Sequence, residues 1–508
     1  MFNLSKKQYC DAVRCPKMLW LKNNKPEVFD EAAVDQSLLE NGKKIRDLAK
    51  SYFGEYAEVP YDGDGSKMIC KTKEFIDGGT PVIAKASFSY NGLFCSVDIL
   101  KKSDAGYEIY EVKSSTTVYE QHSTEVKKCY KDDAAYQYYV LSKCGIQICR
   151  VCIVYVNKKY NFSSADGLDL KQFFNFEDIT DEVRQKMPEV EANIERFREY
   201  MDQNEEPADA IGEHCKKPHE CGCWQYCTRH LPKPNVFDIT GRGREFPLST
   251  KIKYYRQGTI SFEDLSKCPD VTQKQMLQIE HQLKDLPPHV EKENIQDFLN
   301  ELSYPLYFLD FEAFPPAIPQ YDNSKPYEKI TFQYSLHSIE AEGGELKHTE
   351  FLAYPGADPR RAVAEQLCRD IPENVCVLAY HASFEKGRIK ELSNLYPDLA
   401  THLLNIHGNI KDLEVPFQDK HYYTRAMQGL TSIKVVLPAL FPNDPELDYH
   451  NLEGVHNGLD ASATFAAMAE MSQEELERSR QQLLKYCGLD TLAMVKIWQK
   501  LKEAVANP

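Results

Sequence analysis

The pattern of apolar and polar positions divides this chain into two regions with different element orders. The first region shows helical and strand periods in turn: helices over 31–53, 124–142 and 181–201, and strands over 82–90, 93–100, 107–113 and 148–156. The second region begins with strands and continues almost entirely as helices: strands over 306–311, 330–338, 348–354 and 375–380, and a helix over 359–370. Strands followed by helices predict a mixed sheet that is covered by helices.

The length of 508 residues is enough for two or three domains with a core each. The stretch between the two regions is rich in proline, lysine and polar residues, and it shows only short helical patterns. We therefore predict an α/β protein of two domains, over 1–232 and 301–508, joined by a helical linker over 233–300.

Charge and hydropathy limit the function classes. A net charge of −16 counts against a protein that coats nucleic acid nonspecifically, yet it allows an enzyme that binds a few phosphates through metal ions. A basic stretch with interleaved aromatics contains Arg242 and Lys253, which we predict to bind substrate; a solvated charged face is the alternative. The sequence lacks a membrane-length apolar run and a signal peptide, so we expect a cytoplasmic protein with no membrane partner.

A first pair of acidic residues lies on two neighbouring predicted strands. Asp98 and Glu111 are each flanked by apolar residues, and two such carboxylates can converge on one Mg²⁺ or Mn²⁺ ion. Lys113 shares a strand face with Glu111, so its ammonium can orient the attacking water or stabilise a phosphate. A solvated strand edge is the alternative interpretation.

A second acidic set is spread over the C-terminal region. Asp310 and Glu312 alternate on one strand and therefore project to one face. Tyr486 and Asp490 stand four residues apart on a predicted helix and share a face. Glu385 follows a buried strand, where a helix begins. This set predicts a second divalent-metal site.

Sixteen cysteines are present, and most are scattered singly through apolar patterns. Four of them, however, fall within thirteen residues at Cys215, Cys221, Cys223 and Cys227. Such spacing indicates a metal site bound through sulfur. A zinc site that uses the four clustered thiols, with His214 or His219, is one interpretation.

Residues 1–232 resemble the RecB-like branch of the PD-(D/E)xK nucleases, which includes iron–sulfur nucleases. The resemblance rests on Cys15-Pro16-Lys17, on Asp98, on Glu111-Val112-Lys113 and on Gln137, which supports the active site in that family. It implies a restriction-endonuclease-like fold and a [4Fe–4S] cluster on four ligands: Cys15, Cys215, Cys221 and Cys227. Zinc is the alternative group, and Cys10 is an alternative ligand.

Two positions depart from that family's pattern. Leu141 stands where a tyrosine often follows the glutamine, and Arg46 stands where a metal-binding histidine is often found. Both positions belong to the active-site pattern of that family, so both departures bear on whether the N-terminal domain cleaves DNA.

Residues 303–503 resemble the DnaQ-like exonucleases of the RNase H-like fold, which carry Asp-x-Glu, a third acid and Tyr-x-x-x-Asp. The resemblance implies two metal ions, water positioning by Tyr486 and four ligands: Asp310, Glu312, Glu385 and Asp490. Lys434 lies in a segment similar to the family's substrate strand, so it is expected to meet a phosphate. The family has aspartate where this chain has Glu385, and Asp412 is an alternative acid.

The two halves together resemble a bacterial family that fuses a RecB-like domain to a DnaQ-like domain. We therefore expect a nuclease that acts as a metal-dependent 3′→5′ exonuclease on single-stranded DNA or 3′ ends. Its N-terminal module would cut DNA or only hold it. The alternatives are a catalytically degenerate nucleic-acid-binding protein of repair or phage defence, and an RNA exonuclease, because two-metal chemistry does not depend on the 2′-hydroxyl.

Overall fold

Helices and strands follow one another along the whole described chain, so the protein is mixed α/β. The structure is a computed structural model, and it describes residues 3–30, 36–208, 211–241 and 245–506. The chain forms two compact units, in which unit 1 comprises 1–230 and 317–327, and unit 2 comprises 231–316 and 328–508.

This division differs from the predicted one in the stretch over 233–300. Those residues belong to unit 2, where they build a core cluster of their own. The cluster contains Val236, Ile239, Phe262 and Ile279. Its apolar residues are widely spaced in sequence, which is why periodicity alone indicated a linker.

A second difference concerns the connection between two strands of unit 2. Residues 317–327 leave that unit and join unit 1, where Ala317, Ile318 and Tyr327 pack in its core. The Tyr327 hydroxyl donates a 2.5 Å hydrogen bond to the Ser114 carbonyl oxygen. Such an excursion leaves no periodic signal in the sequence.

The strands of unit 1 form one sheet in the order β2-β3-β4-β5-β6-β7, with β1 beside β4. Their bounds are β1 (Leu4–Ser5), β2 (Ala57–Glu58), β3 (Val82–Tyr90), β4 (Leu93–Ser103), β5 (Gly106–Lys113), β6 (Ile148–Val156) and β7 (Phe174–Asp178). The pairs β3·β4 and β4·β5 are antiparallel, so these three consecutive strands form a meander.

The helices described in unit 1 are α1 (Lys6–Arg14), α2 (Pro16–Asn24), α3 (Gln36–Tyr52), α4 (Gly65–Asp77), α5 (Lys128–Lys143), α6 (Leu170–Phe173), α7 (Thr180–Gln185), α8 (Met187–Met201) and α9 (Trp224–Thr228). Ser5 begins α1 through a reciprocal capping box with Gln8. The single helix predicted over 181–201 is divided into α7 and α8, because Pro188 lies in the first turn of a new helix.

The main sheet of unit 2 has the order β11-β10-β9-β12-β13, and β8 pairs with β14 apart from it. The bounds are β8 (His289–Val290), β9 (Leu306–Phe314), β10 (Ile330–Ile339), β11 (Leu346–Leu352), β12 (Cys376–Ala379), β13 (Ile410–Asp412) and β14 (Tyr422–Tyr423). β10 is antiparallel to β9 and β11, whereas β12 is parallel to β9 and β13. The sheet is therefore mixed, as predicted, although β13 and β14 were not anticipated because each has three residues or fewer.

The helices described in unit 2 are α10 (Leu248–Arg256), α11 (Phe262–Leu265), α12 (Gln273–Lys284), α13 (Lys292–Asn300), α14 (Arg360–Asp370), α15 (Ser383–Leu395), α16 (Ala400–Asn409), α17 (Val415–Gln418), α18 (Ile433–Leu440), α19 (Gly458–Ala467) and α20 (Gln473–Ala506). Ser472 and Glu475 cap the start of α20, a helix of 34 residues. Within the described ranges, every helix is too short or too polar to span a lipid bilayer.

Candidate metal centre

Strand β9 presents two carboxylates on one face of the main sheet of unit 2. Asp310 pairs with Ser335 of β10, and Glu312 pairs with Gln333. Opposite residues of an antiparallel pair project to the same face, so all four polar side chains lie on one side of the sheet.

Helix α20 is attached to this face by the polar side chains of β10. The Gln333 amide donates a 2.9 Å hydrogen bond to the Leu483 carbonyl oxygen, which lies in α20. Further along the helix, the Thr491 hydroxyl is 2.7 Å from the Ser335 hydroxyl and 2.8 Å from Nδ1 of His337. These contacts place Tyr486 and Asp490 of α20, two of the predicted site residues, above β9.

Three carboxylates converge as a result. Oxygens of Asp310, Glu312 and Asp490 lie within 4.8 Å of one another, and this is the group with metal-ligand spacing among the described residues. Burial raises the pKa of Asp310 and of Glu312 well above the usual range, and the charge of Asp490 raises both further. Burial likewise raises the pKa of Asp490 to about 6.

Two aromatic hydroxyls and one ammonium group surround the triad. The Tyr449 hydroxyl donates a 2.5 Å hydrogen bond to Oδ1 of Asp490. Lys434 donates to the Tyr486 hydroxyl at 3.2 Å, and its ammonium lowers the pKa of Asp490 and Glu312 against the effect of burial. Lys434 thus lies beside the triad, and its contact with a substrate phosphate stays a prediction.

Cys487 and Tyr449 were missed in the sequence. The Cys487 thiol lies 3.6 Å from Oδ2 of Asp310. Its position next to Tyr486 in the predicted helix was the signal that could have found it. Tyr449 belongs to a short 3-10 turn, Tyr449–Asn451, in which no periodic pattern marks a functional residue.

Glu385 lies near the triad but does not belong to the group within 4.8 Å. It is buried in the first turn of α15, and its Oε2 atom has no hydrogen-bond partner among the described residues. Burial raises its pKa to about 8, and Asp412 and Asp490 add to the shift. An orphaned, buried carboxylate oxygen is costly unless a cation compensates it.

Asp412, the alternative acid, is bonded to the backbone of the surrounding segments. Its carboxylate accepts hydrogen bonds from the backbone N–H groups of His381, Ala382 and Glu414, at 3.0, 3.1 and 3.0 Å. These bonds fix the junction between β12 and α15, and so the place of Glu385.

The unit 2 residues fit a divalent ion. Three converging carboxylates offer the hard oxygen ligands that Mg²⁺ and Mn²⁺ prefer. Burial raises their pKa values, and the charge of Asp490 raises those of Asp310 and Glu312 further, so a bound cation would favour the ionised carboxylates.

The first predicted centre lies in unit 1 and is built differently. Asp98 lies beside Glu111 because Ile99 of β4 pairs with Tyr110 of β5. The Glu111 Oε1 atom is 2.9 Å from the ammonium of Lys113 and also 2.9 Å from that of Lys6. Burial opposes the ionisation of Glu111, but these two ammonium groups outweigh it and hold its pKa well below the usual range.

Helix α5 adds Gln137 and an unpredicted acid to this centre. The Gln137 amide donates to Oε2 of Glu111 at 2.9 Å and to Oδ1 of Asp133 at 3.1 Å. Asp133 stands four residues before Gln137, and that helical spacing was its signal in the sequence. The two lysines also pair with Asp133, so the facing oxygens are bonded to ammonium groups and the arrangement does not fit a divalent ion.

Thiols gather in another part of unit 1. Cys15, Cys221, Cys223 and Cys227 belong to one apolar cluster, and the Cys215 carbonyl accepts a hydrogen bond from the Cys221 N–H. Burial raises the pKa of the Cys227 thiol to about 11, and nearby Cys215 and Cys221 add to it. Within the described residues, no three of these sulfurs lie within 4.8 Å of one another, so the iron–sulfur cluster or zinc ion that they would hold stays a prediction. Cys10 instead packs against the main core of unit 1. Burial raises the pKa of its thiol, Asp133 raises it further, and Lys6 lowers it.

The structure describes one of the two residues of the basic stretch that are predicted to bind substrate. Arg242 lies outside the described residues. Lys253 is exposed on α10, with its ammonium 5.7 Å from the centre of the Tyr254 ring.

A comparison with protein families finds a match over part of the chain. Residues 307–432 match the model of a domain of unknown function, DUF2779. That range includes Asp310, Glu312 and Glu385 and ends before Tyr486 and Asp490. No curated protein matches the chain.

Proposed function

We propose that unit 2 is a metal-dependent nuclease, a 3′→5′ exonuclease that hydrolyses phosphodiester bonds at the ends of DNA. The observation that carries this proposal is the convergence of Asp310, Glu312 and Asp490 within 4.8 Å in a buried setting. Three acids brought together in this way destabilise the fold unless a cation joins them. Divalent ions held by carboxylates are the usual means of phosphodiester hydrolysis.

The fold of unit 2 also supports a nuclease. A mixed sheet covered by helices, with the acids on one strand and on the last long helix, is compatible with a DnaQ-like, RNase H-like domain. The direction of digestion and the preference for DNA come from that resemblance. For unit 1 we propose the RecB-like PD-(D/E)xK fold, and this proposal likewise comes from the resemblance of its sequence.

Each residue of the centre has a distinct part in this proposal. Asp310, Glu312 and Asp490 would hold Mg²⁺ or Mn²⁺, which supply an activated water and stabilise the leaving oxygen. The orphaned oxygen of Glu385 is available as a fourth acceptor.

The neighbouring side chains act on the substrate. The Tyr486 hydroxyl is positioned by the 3.2 Å contact with Lys434 and is available to orient the attacking water. The Lys434 ammonium also lies 5.0 Å from the Tyr486 ring centre, beside the triad, where a phosphate would be attracted to it.

A digestion assay tests the proposal. With Mn²⁺ present, the purified protein should release mononucleotides from a single strand labelled at its 5′ end, and the ladder should shorten from the 3′ end. Asp310→Asn should lower the rate by at least about 10²-fold, because it removes a ligand charge needed in the transition state.

The matched control is Glu345→Gln, the same carboxylate-to-amide change at an exposed loop residue of the same unit. Equal rates for Asp310→Asn and the wild type would place the activity elsewhere. An RNA strand of the same sequence, run in parallel, decides between the DNA and RNA alternatives.

Binding without cleavage is the second candidate, and two observations favour it. Glu385 stands outside the group of three, and the acids of unit 1 are paired with lysines. A gel-shift titration in EDTA tests it. A protein that binds single strands tightly in EDTA, yet leaves them intact with Mn²⁺, would be a binding protein.

A further inference from the structure

Lys6 places an ammonium group inside the carboxylate centre of unit 1. Its Nζ atom lies 2.9 Å from Oε1 of Glu111 and 3.2 Å from Oδ1 of Asp133. These two acids come from different elements, β5 and α5, and Lys6 joins them. A divalent ion would perform the same task in a metal-dependent centre.

The backbone that carries Lys6 is well anchored. Leu4 and Ser5 form β1, which pairs with β4, the strand that carries Asp98. The Tyr136 hydroxyl donates to the Leu4 carbonyl oxygen, and the Ser5 capping box begins α1. The ammonium is therefore delivered to the centre by a fixed element.

The position of Lys6 in its own helix is electrostatically unfavourable. It is the first residue of α1, and the N-terminus of a helix disfavours positive charge. Burial also disfavours its charged form, and the contacts with the carboxylates of Glu111 and Asp133, at 2.9 and 3.2 Å, compensate that cost. The charge is thus stabilised by the centre and not by the helix.

The centre as a whole is balanced in charge. Its three carboxylates, on Asp98, Glu111 and Asp133, face three ammonium groups, on Lys6, Lys85 and Lys113. Lys85 lies 2.6 Å from Asp98, and Lys113 lies 2.5 Å from Asp133. A divalent ion that entered would meet like charges at close range.

Unit 2 shows the opposite balance. There the oxygens of Asp310, Glu312 and Asp490 converge within 4.8 Å, and the ammonium of Lys434 lies beside them, 3.2 Å from the Tyr486 hydroxyl. In unit 1 the Glu111 carboxylate instead contacts two ammonium groups, each at 2.9 Å. Both centres are acidic in sequence, but the folded chain neutralises one of them.

We propose that the Lys6 ammonium occupies the cation position of the unit 1 centre, which is therefore held together without a divalent ion. Among the described residues, the triad of unit 2 is then the carboxylate group left with metal-ligand spacing. Unit 1 is a module that does not cut phosphodiesters through a metal ion at Glu111. This inference does not depend on the activity of unit 2.

The test measures Mn²⁺ binding by electron paramagnetic resonance in the full chain. The parent protein carries Asp310→Asn and Asp490→Asn, so that the unit 2 triad no longer competes. This parent should leave Mn²⁺ free at up to about millimolar concentration. Adding Lys6→Ala should create one Mn²⁺ site with an affinity at least tenfold higher, because Glu111 and Asp133 lose their built-in cation.

The matched control is Lys7→Ala, since Lys7 is the exposed neighbour in the same helix. It should bind Mn²⁺ no better than the parent. Adding Glu111→Gln to the Lys6→Ala protein should abolish the new site, which assigns the gained ion to this centre. If Lys6→Ala does not fold, Lys6→Met keeps the apolar stem and removes only the charge.

Two results would overturn the proposal. One is a parent protein that binds Mn²⁺ in a Glu111-dependent manner as tightly as the Lys6 variant does, because Lys6 would then yield to metal. The other is a folded Lys6 variant that gains no Mn²⁺ site, because Lys6 would then not be what excludes the ion.

Discussion

The hydroxyl of Tyr449 donates a 2.5 Å hydrogen bond to Oδ1 of Asp490. Tyr449 lies 41 residues before Asp490, in a 3-10 turn, while Asp490 belongs to α20. The bond fixes the orientation of the one acid in the triad that does not come from β9. A residue that orients a ligand in this way commonly contributes as much to metal affinity as a weak ligand does.

Tyr449→Phe should therefore weaken Mn²⁺ binding to the unit 2 triad by about 10- to 100-fold. The ring is retained, so the packing against Tyr486 should persist. Calorimetric titration of Mn²⁺ measures the effect, with Tyr354→Phe, an exposed tyrosine of the same unit, as the control. An unchanged affinity would mean that Tyr449 plays no part in positioning Asp490.

The stability of the metal-free protein should depend on pH through Asp490. Its folded pKa is raised to about 6, so its contribution to stability is present at low pH and is lost as the pH rises through about 6. Asp490→Asn keeps an oxygen acceptor for Tyr449 and removes the buried charge. In EDTA at pH 7.5 we expect this variant to be more stable than the wild type by about 1–3 kcal/mol, with a smaller difference at pH 5.

Saturating Mn²⁺ should reverse that order, because the ion binds the folded wild type and not the variant. Thermal unfolding at the two pH values, with EDTA and with Mn²⁺, provides the four comparisons. A variant that is less stable than the wild type in EDTA at pH 7.5 would contradict the view that the triad is strained without a cation.

Protein purified without oxygen should be brown, with broad visible absorption that vanishes on oxidation. Iron bound by thiolates gives charge-transfer bands, whereas zinc gives none. Cys15→Ala should remove the colour and destabilise unit 1, while Cys10→Ala should keep the colour, because Cys10 packs beside the Lys6 and Asp133 centre. A colourless preparation with stoichiometric zinc, insensitive to Cys15→Ala, would favour the zinc alternative.

Lys113→Ala should leave the trimming of 3′ ends unchanged, because Lys113 belongs to unit 1 and the proposed exonuclease triad lies in unit 2. If unit 1 cuts, the same variant should lose roughly 10²- to 10³-fold in its cleavage rate, since one preorganised donor is removed. Comparing all cleavage products of both proteins on a sequencing gel measures the two effects separately. Cleavage products that are unchanged in Lys113→Ala would assign unit 1 a non-cutting role.

The sequence by itself determined the local elements and the faces of their residues. The strands over 82–90 and 148–156 have the predicted bounds, since alternating and continuous apolar runs reflect the backbone geometry of a strand. Asp310 and Glu312 share a face because a strand repeats every two residues, and Tyr486 and Asp490 share a face because a helix repeats every 3.6. These relationships span only a few residues.

Only the tertiary structure decided which of these faces meet. The register of β9 with β10, and the polar attachment of α20, brought Asp490 to Asp310 across 180 residues and left Glu385 outside the group. In the same way, the fold carried Lys6 to Glu111 across 105 residues and neutralised an acidic pair that looked equally suited to metal in the sequence. Local periodicity fixes where a side chain points, but the charge balance of a centre depends on every element that packs around it.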